Sequence, residues 1–135
     1  EPALSKRPTL ICAMTLRERP ESIEAPLRPF FSHGVHRDDL GAAAIGFTIF
    51  LLFAAGQGEW PVEVNLVNVE GVRTGRPLPV TVRLENALSI EPVMIDTGIR
   101  VTRFGYSWIT VDLDGETVAR VPFHIYELDP EGGNS

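Results

Sequence analysis

The chain has one cysteine, one lysine and no apolar run long enough to form a membrane-spanning helix. A lone Cys12 forms no intramolecular disulfide, so nothing in the chain requires an oxidising compartment. It lies in the apolar run Thr9-Leu10-Ile11-Cys12-Ala13-Met14, where a buried thiol on a strand is expected. The neighbouring sequence offers no histidine to activate it as a nucleophile. The longest uncharged stretch, Gly41 to Gly56, has 16 residues, whereas a spanning helix needs about 20. Heptads, internal repeats and a convincing helical periodicity are also missing. So are a Gly-x-Ser-x-Gly elbow and a phosphate-cradling glycine loop. These absences remove coiled coils, repeat arrays, serine hydrolases of the elbow type and P-loop enzymes.

Positive charge is also scarce. Twelve basic residues against eighteen acidic ones leave a net charge of −6. That balance predicts no nucleic-acid partner and no anionic membrane surface, both of which call for a cationic face. Eleven of the twelve basic residues are Arg, which reads first as the composition bias of a GC-rich bacterium and second as anion recognition. The length of 135 residues suits one domain with a core of its own. The expected organisation is an N-terminal tail over residues 1–7, a domain over 8–128 and a C-terminal tail over 129–135.

What the chain does have is strand patterning. Pro8 to Met14 reads as a first strand. Arg17 to Asp39 carries Pro20, Pro26 and Pro29 and reads as irregular, with a short strand at either Ser22 to Ala25 or Arg28 to Ser32. Ala44 to Ala55 is a continuous apolar run, the pattern of a strand buried on both faces. Trp60 to Asn68, with Val62, Val64 and Leu66 alternating with Glu63 and Asn65, reads as its hairpin partner. Glu70-Gly71 is a turn, Arg73 to Pro79 a polar loop, and Val80 to Glu85 another alternating strand. Leu88 to Ile95 is a short strand or loop, and Asp96-Thr97-Gly98 a turn.

The last hairpin can be read in register. Ser107, Ile109, Val111 and Leu113 share one face, and Tyr106, Trp108, Thr110 and Asp112 the other. A plain two-residue Asp114-Gly115 loop would set Ile109 against Arg120. A three-residue loop, Leu113-Asp114-Gly115, sets Ile109 against Ala119 and Ser107 against Val121, and is preferred because the apolar sets then coincide. Strand signals at this spacing predict an all-β, antiparallel β-sandwich of about 7–8 strands, immunoglobulin-like or related. The expected core includes Phe47, Ile49, Leu51, Phe53, Val64, Ile109 and Val111, with Phe50 and Leu52 largely covered.

Several of these pieces occur in one order: Val35-His36, Phe47 to Phe53, Gly58-Glu59, Val64 to Gly71, Phe104-Gly105, Val111 to Gly115 and Ala119 to Ile125. In that order the run from Val35 to Leu128 resembles a family of short bacterial proteins catalogued as a domain of unknown function. The resemblance implies an immunoglobulin-like or related β-sandwich and brings no activity with it.

Candidate chemistry is thin. His33, His36, Asp38 and Asp39 are the one cluster of metal-ligand residue types, but zinc sites use tighter motifs, and a polar loop is the better reading. His124 reads as a structural histidine. Arg73-Thr74-Gly75-Arg76 reads as a solvated turn, and Asp112, Asp114 and Glu116 as turn chemistry. No catalytic residue, metal or cofactor is expected.

The partner-binding candidates are Tyr106, Trp108 and Pro122. The two aromatics fall on the outward face, where Trp and Tyr mark binding surfaces, unless the N-terminal segment covers them. Pro122 removes a ladder donor, so its strand is expected at an edge or at a bulge. The expected function is therefore a non-enzymatic protein–protein interaction module in the cytoplasm. The alternative is a structural subunit of a self-associating assembly, and the third reading is ligand or metal binding or enzymatic activity.

Overall fold

The computed structural model describes residues 5–22 and 26–129. Within them the chain is all β, apart from one turn of 3-10 helix at Arg37–Asp39. The strands are β1 (Thr9–Leu16), β2 (Ser32–Val35), β3 (Ala44–Ala54), β4 (Gly58–Val67), β5 (Arg73–Leu84), β6 (Ile90–Arg100), β7 (Gly105–Leu113) and β8 (Glu116–Glu127). They form a three-stranded sheet in the order β1-β3-β6 and a five-stranded sheet in the order β2-β8-β7-β4-β5. Pairing is antiparallel except between β2 and β8, which run parallel. The second sheet is therefore mixed, which corrects the purely antiparallel expectation. No tight turn joins β2 to β8, so nothing imposes the antiparallel sense.

The inner faces of the two sheets share one core. Phe47, Ile49, Leu51 and Phe53 of β3 meet Val62 and Val64 of β4, Ile109 and Val111 of β7, and Phe123 of β8. All seven core positions read from the alternation are buried there. Phe50, on the other face of β3, is also buried, and Leu52 is half-buried. The uncharged stretch from Gly41 to Gly56 thus supplies the central strand of a sheet. Among the described residues no helix is long and apolar enough to cross a membrane.

The pairings correct several local readings. β3 and β4 are consecutive but do not form a hairpin. Ala55 at φ 61° and Gly58 at φ 99° carry the chain from one sheet to the other. Arg73 to Pro79 is strand rather than loop. It belongs to β5, an edge strand, where Pro77 and Pro79 can sit without breaking a central ladder. Asp96-Thr97-Gly98 is no turn but the middle of β6. The Thr48 hydroxyl donates to Asp96 Oδ1 at 2.7 Å, and Gly98 passes close to the backbone of Ile45. Of the two short-strand options between Arg17 and Asp39, Ser22 to Ala25 lies mostly outside the described residues. The other is displaced: Pro29 makes only an isolated bridge to Leu16, and the strand begins at Ser32.

The β7–β8 hairpin keeps the predicted faces but not the predicted loop. Leu113 faces Glu116 across a two-residue loop in which Asp114 and Gly115 both have positive φ, 51° and 85°, as a type I′ turn requires. A bulge three residues along restores the apolar match. Asp112 pairs with Thr117 and Val111 with Ala119, leaving Val118 as the extra residue. Ile109 then faces Val121 and Ser107 faces Phe123.

Two features near the N-terminus complete the frame. Lys6 and Gln57 exchange backbone hydrogen bonds of 2.9 Å, and Arg7 reaches Glu116 at 2.7 Å, so the segment expected as a tail is tied to the domain from Lys6 onward. Cys12 is half-buried rather than buried, and that partial burial pushes its thiol pKa up.

Candidate functional site

The outer face of the five-stranded sheet carries the aromatic candidates. Alternation along β7 points Ser107, Ile109, Val111 and Leu113 into the core and Tyr106 and Trp108 away from it. Tyr106 is 54% exposed and Trp108 half-buried. β8 adds two rings beside them. His124 faces Tyr106 across the ladder, and their rings stack with centroids 4.5 Å apart and planes 17° from parallel. Tyr126, two residues on and 42% exposed, has its ring tilted 42° to His124 with centroids 5.8 Å apart. The three rings form a continuous row.

Trp108 lies in the adjacent row of the sheet, between Val67 of β4 and Pro122 of β8. The Arg120 guanidinium sits over its ring, 5.1 Å from the centroid, in cation–π range. Arg73 is opposite Val67 in the same row. Among the described residues neither Arg73 nor Arg120 has an ion-pair partner. The outward carboxylates of β4 and β7 occupy the other half of the face, and each is engaged. Glu59 pairs with Arg83 at 3.2 Å, Glu63 accepts from Asn65 at 3.1 Å, and Asp112 accepts from Thr117 at 2.6 Å. The face is thus divided into an aromatic, cationic half and an acidic half at the hairpin tip.

Tyr106 and Trp108 stand where the alternation put them. Among the described residues their partial cover comes from the sheet itself, because the N-terminal strand β1 belongs to the other sheet. Pro122 is placed by its local surroundings. β8 is flanked by β7 along its length and by β2 only from His124 onward, so Pro122 is off the hairpin bulge and on a stretch of β8 that no described strand pairs on the β2 side. Its tolerance has a local cause. The N–H of His124 bonds to Phe31 on the β2 side, at 2.8 Å, so a donor at Pro122 would point the same way. β2 pairs with β8 only from His124 onward, and the missing N–H falls beyond the end of that ladder. The edge expected at Pro122 is thus local, and the missing N–H withholds a ladder donor there.

His33, His36, Asp38 and Asp39 do not converge. His33 lies edge-on to Phe30, with centroids 5.8 Å apart, and His36 precedes the 3-10 turn that holds both aspartates. Among the described residues no three His, Cys, Asp or Glu side chains come together as a metal site. The neighbouring charge is an ion pair: Arg37 donates two bonds to Glu127, of 2.9 and 2.7 Å. Sequence reasoning missed His124, Tyr126 and Arg120 as members of the aromatic face. Their shared parity with Pro122 on β8 was the available signal, and the three-residue loop already implied it; only the ring-to-ring pairing depended on the observed register.

No family model matches the chain, and no curated protein does. Among solved structures it is similar to the Pseudomonas fluorescens alkylpurine DNA glycosylase AlkC bound to DNA containing an abasic site analog, with TM-score 0.48 and 13% identity. The match covers 90% of this chain and 31% of that one, so the chain spans about a third of the glycosylase's length. That neighbour is a DNA-bound protein, whereas the sequence reads as a protein–protein interaction module or self-associating subunit with nucleic acid excluded. The exclusion is corrected on a physical ground. A net charge of −6 is a whole-chain sum, and it conceals the separation of Arg73 and Arg120 from the carboxylates on this face.

Proposed function

We propose that the aromatic half of the five-stranded sheet is a binding platform for the bases of a single-stranded nucleic acid. The observation that carries the reading is the ring row Tyr106–His124–Tyr126 alongside the Arg120-capped Trp108. Aromatic rings on an outer sheet face suit bases, because every base offers a π-face that can extend an existing ring stack. Each stacked base contributes about 1–3 kcal/mol, largely regardless of sequence. Arg73 and Arg120 supply charge for the phosphates, and the outward carboxylates lie on the far half of the face. A duplex keeps its bases stacked on one another and suits this surface less. The reading is one of binding and requires no reacting group. A cytoplasmic setting accords with a single free cysteine.

The test is binding of a short labelled oligonucleotide, followed by fluorescence anisotropy at low salt. Tryptophan emission serves as a second signal. Trp60 is packed against the core with its indole N–H bonded to Gln57 at 2.9 Å, so quenching by the oligonucleotide reports on Trp108. The expected result is tighter binding of single strands than of a duplex of equal length, with Tyr106→Ala and Trp108→Ala each weakening it about tenfold. Equal affinity for single strand and duplex, or no loss in either variant, overturns the platform.

A further inference from the structure

A second site opens between the two sheets. Where Ile99 and Arg100 of β6 approach β4 and β7, a cleft of about 280 Å³ enters the core. At ~30 Å³ per water its volume equals that of about nine waters. Its inner walls are Phe47, Ile99, Ile109 and Phe123, and the two phenyl rings stack with centroids 5.6 Å apart. Apolar walls with a few convergent polar groups are the usual build of a small-molecule site.

Of the polar residues that line it, Asn68 accepts from the Glu70 and Val72 N–H groups, the Thr74 hydroxyl donates to Leu66 O, Thr102 is exposed, and Ser107 and Arg100 are left for a ligand. Ser107 points inward with Ile109 and is 8% exposed. A buried hydroxyl ordinarily finds a hydrogen-bond partner, at a cost of about 1–3 kcal/mol if it does not. Among the described residues the Ser107 hydroxyl has none, although the buried Thr48 and Asn65 do. No fully enclosed side-chain oxygen lacks a partner, so the accessible surface that the Ser107 oxygen keeps belongs to the cleft it lines. Arg100 lines the cleft as an exposed residue with no ion-pair partner among the described residues. The cleft is lined by no Asp or Glu.

We infer that this cleft binds a small amphiphilic carboxylate. Its hydrocarbon lies between Phe47, Ile99, Ile109 and Phe123, and its carboxylate faces Arg100 and the Ser107 hydroxyl. Charge complementarity selects the acid over a neutral head group, because the guanidinium presents paired donors matched to two carboxylate oxygens. The hydroxyl adds one neutral hydrogen bond at the depth where the protein supplies no partner. Trp108 lines this cleft as well as the aromatic face, so the two sites are told apart by the residues they do not share: Ile99, Arg100 and Ser107 here, and Tyr106, His124 and Tyr126 on the platform.

Titration with octanoate, and with octanol as the neutral match, followed by backbone amide NMR shifts, tests the inference. The expected shifts are at Ile99, Arg100, Ser107 and Ile109, with octanoate binding more tightly than octanol. Arg100→Met keeps the aliphatic stem and removes the charge. It is expected to weaken octanoate about tenfold, the scale of a charge-assisted hydrogen bond, and to leave octanol unchanged. Ser107→Ala is expected to weaken octanoate by a smaller factor, and Ile99→Trp to fill the cleft and abolish binding of both probes. Unperturbed spectra at millimolar octanoate overturn the inference. So do shifts confined to Tyr106, His124 and Tyr126, or equal affinity of acid and alcohol with no effect of Arg100→Met.

Discussion

A Cβ built on Gly98 would lie 2.8 Å from the carbonyl oxygen of Ile45 on the neighbouring strand. No real side chain sits that close to backbone, so β3 and β6 can take their spacing here only with glycine at this position. Gly98→Ala should force the strands apart and cost about 1–3 kcal/mol, in the range of other overpacking substitutions. The opposing Gly46 is the control. Its Cβ would meet nothing nearer than Thr97 O at 3.9 Å, so Gly46→Ala should fall within about 0.5 kcal/mol of the parent. Chemical denaturation of both variants checks this, and equal losses would refute the close-approach account.

The same segment explains much of what was and was not legible in the sequence. The inward positions of β4 and β7 follow from alternation alone, because burial imposes a period of two on any strand with one wet face, and β3 is marked instead by its continuous apolar run. Asp96-Thr97-Gly98 has the composition of a turn, yet it lies mid-strand: Asp96 is there for Thr48 and Gly98 for Ile45. Those partners are some fifty residues away in sequence, and no local pattern records them. The division of β3 and β4 between sheets is equally non-local. In the candidate site, Tyr106 and Trp108 were legible as outward residues. His124, Tyr126 and Arg120 share that face in the expected register too, but the pairing of His124 with Tyr106 follows from the two-residue loop and the Val118 bulge, and the cleft beside Ser107 depends on how the sheet ends meet.

The Asp114-Gly115 loop distinguishes the observed register from the three-residue alternative. Both residues have positive φ, so Asp114→Gly should be neutral or slightly stabilising. In a loop that placed Asp114 in the right-handed region, the same change would cost about 0.5–1 kcal/mol of backbone entropy. Gly115→Ala should cost about 1–2 kcal/mol. Thermal melts of the pair decide: a clear loss for Asp114→Gly would contradict the two-residue turn.

Thr48 controls the titration of Asp96. The hydroxyl bond from Thr48 is the largest influence holding the Asp96 carboxyl below its ordinary range, with Arg19 adding to it. A folded-state pKa below the unfolded one stabilises the fold above the unfolded pKa, about 3.9 for Asp. That stabilisation fades as pH falls through the lower folded value. Thr48→Val should move the Asp96 pKa upward and flatten this part of the acid limb of the stability curve. Carboxyl-carbon NMR titration of the two proteins measures the shift directly. An unchanged Asp96 pKa in the variant would mean that Arg19, not Thr48, sets it.

Ile109 tests the core. It is 2% exposed and sits between Leu66 of β4 and Val121 of β8. Ile109→Ala should cost about 2–5 kcal/mol through lost transfer energy and the cavity left behind. Equal melting of variant and parent would place Ile109 outside the core.

Trp108 and Arg120 should separate stacking from charge on the aromatic face. In the free protein the two are coupled through the guanidinium over the indole. A double-mutant cycle on stability should give a coupling of about 0.5–1 kcal/mol. In binding to single-stranded oligonucleotides they should diverge. Arg120→Gln removes a cation that can meet a phosphate, and should reduce the slope of log affinity against log salt by up to about one phosphate equivalent, ~0.7 for a single strand. Trp108→Ala removes a stacking surface and leaves the ion count unchanged, so it should lower affinity by a similar factor at every salt concentration while the slope stays put. Anisotropy titrations at several salt concentrations on both variants resolve the two effects. If Trp108→Ala changed the slope as much as Arg120→Gln, the ring would be acting only by holding Arg120 in place, and bases would not be stacking on Trp108.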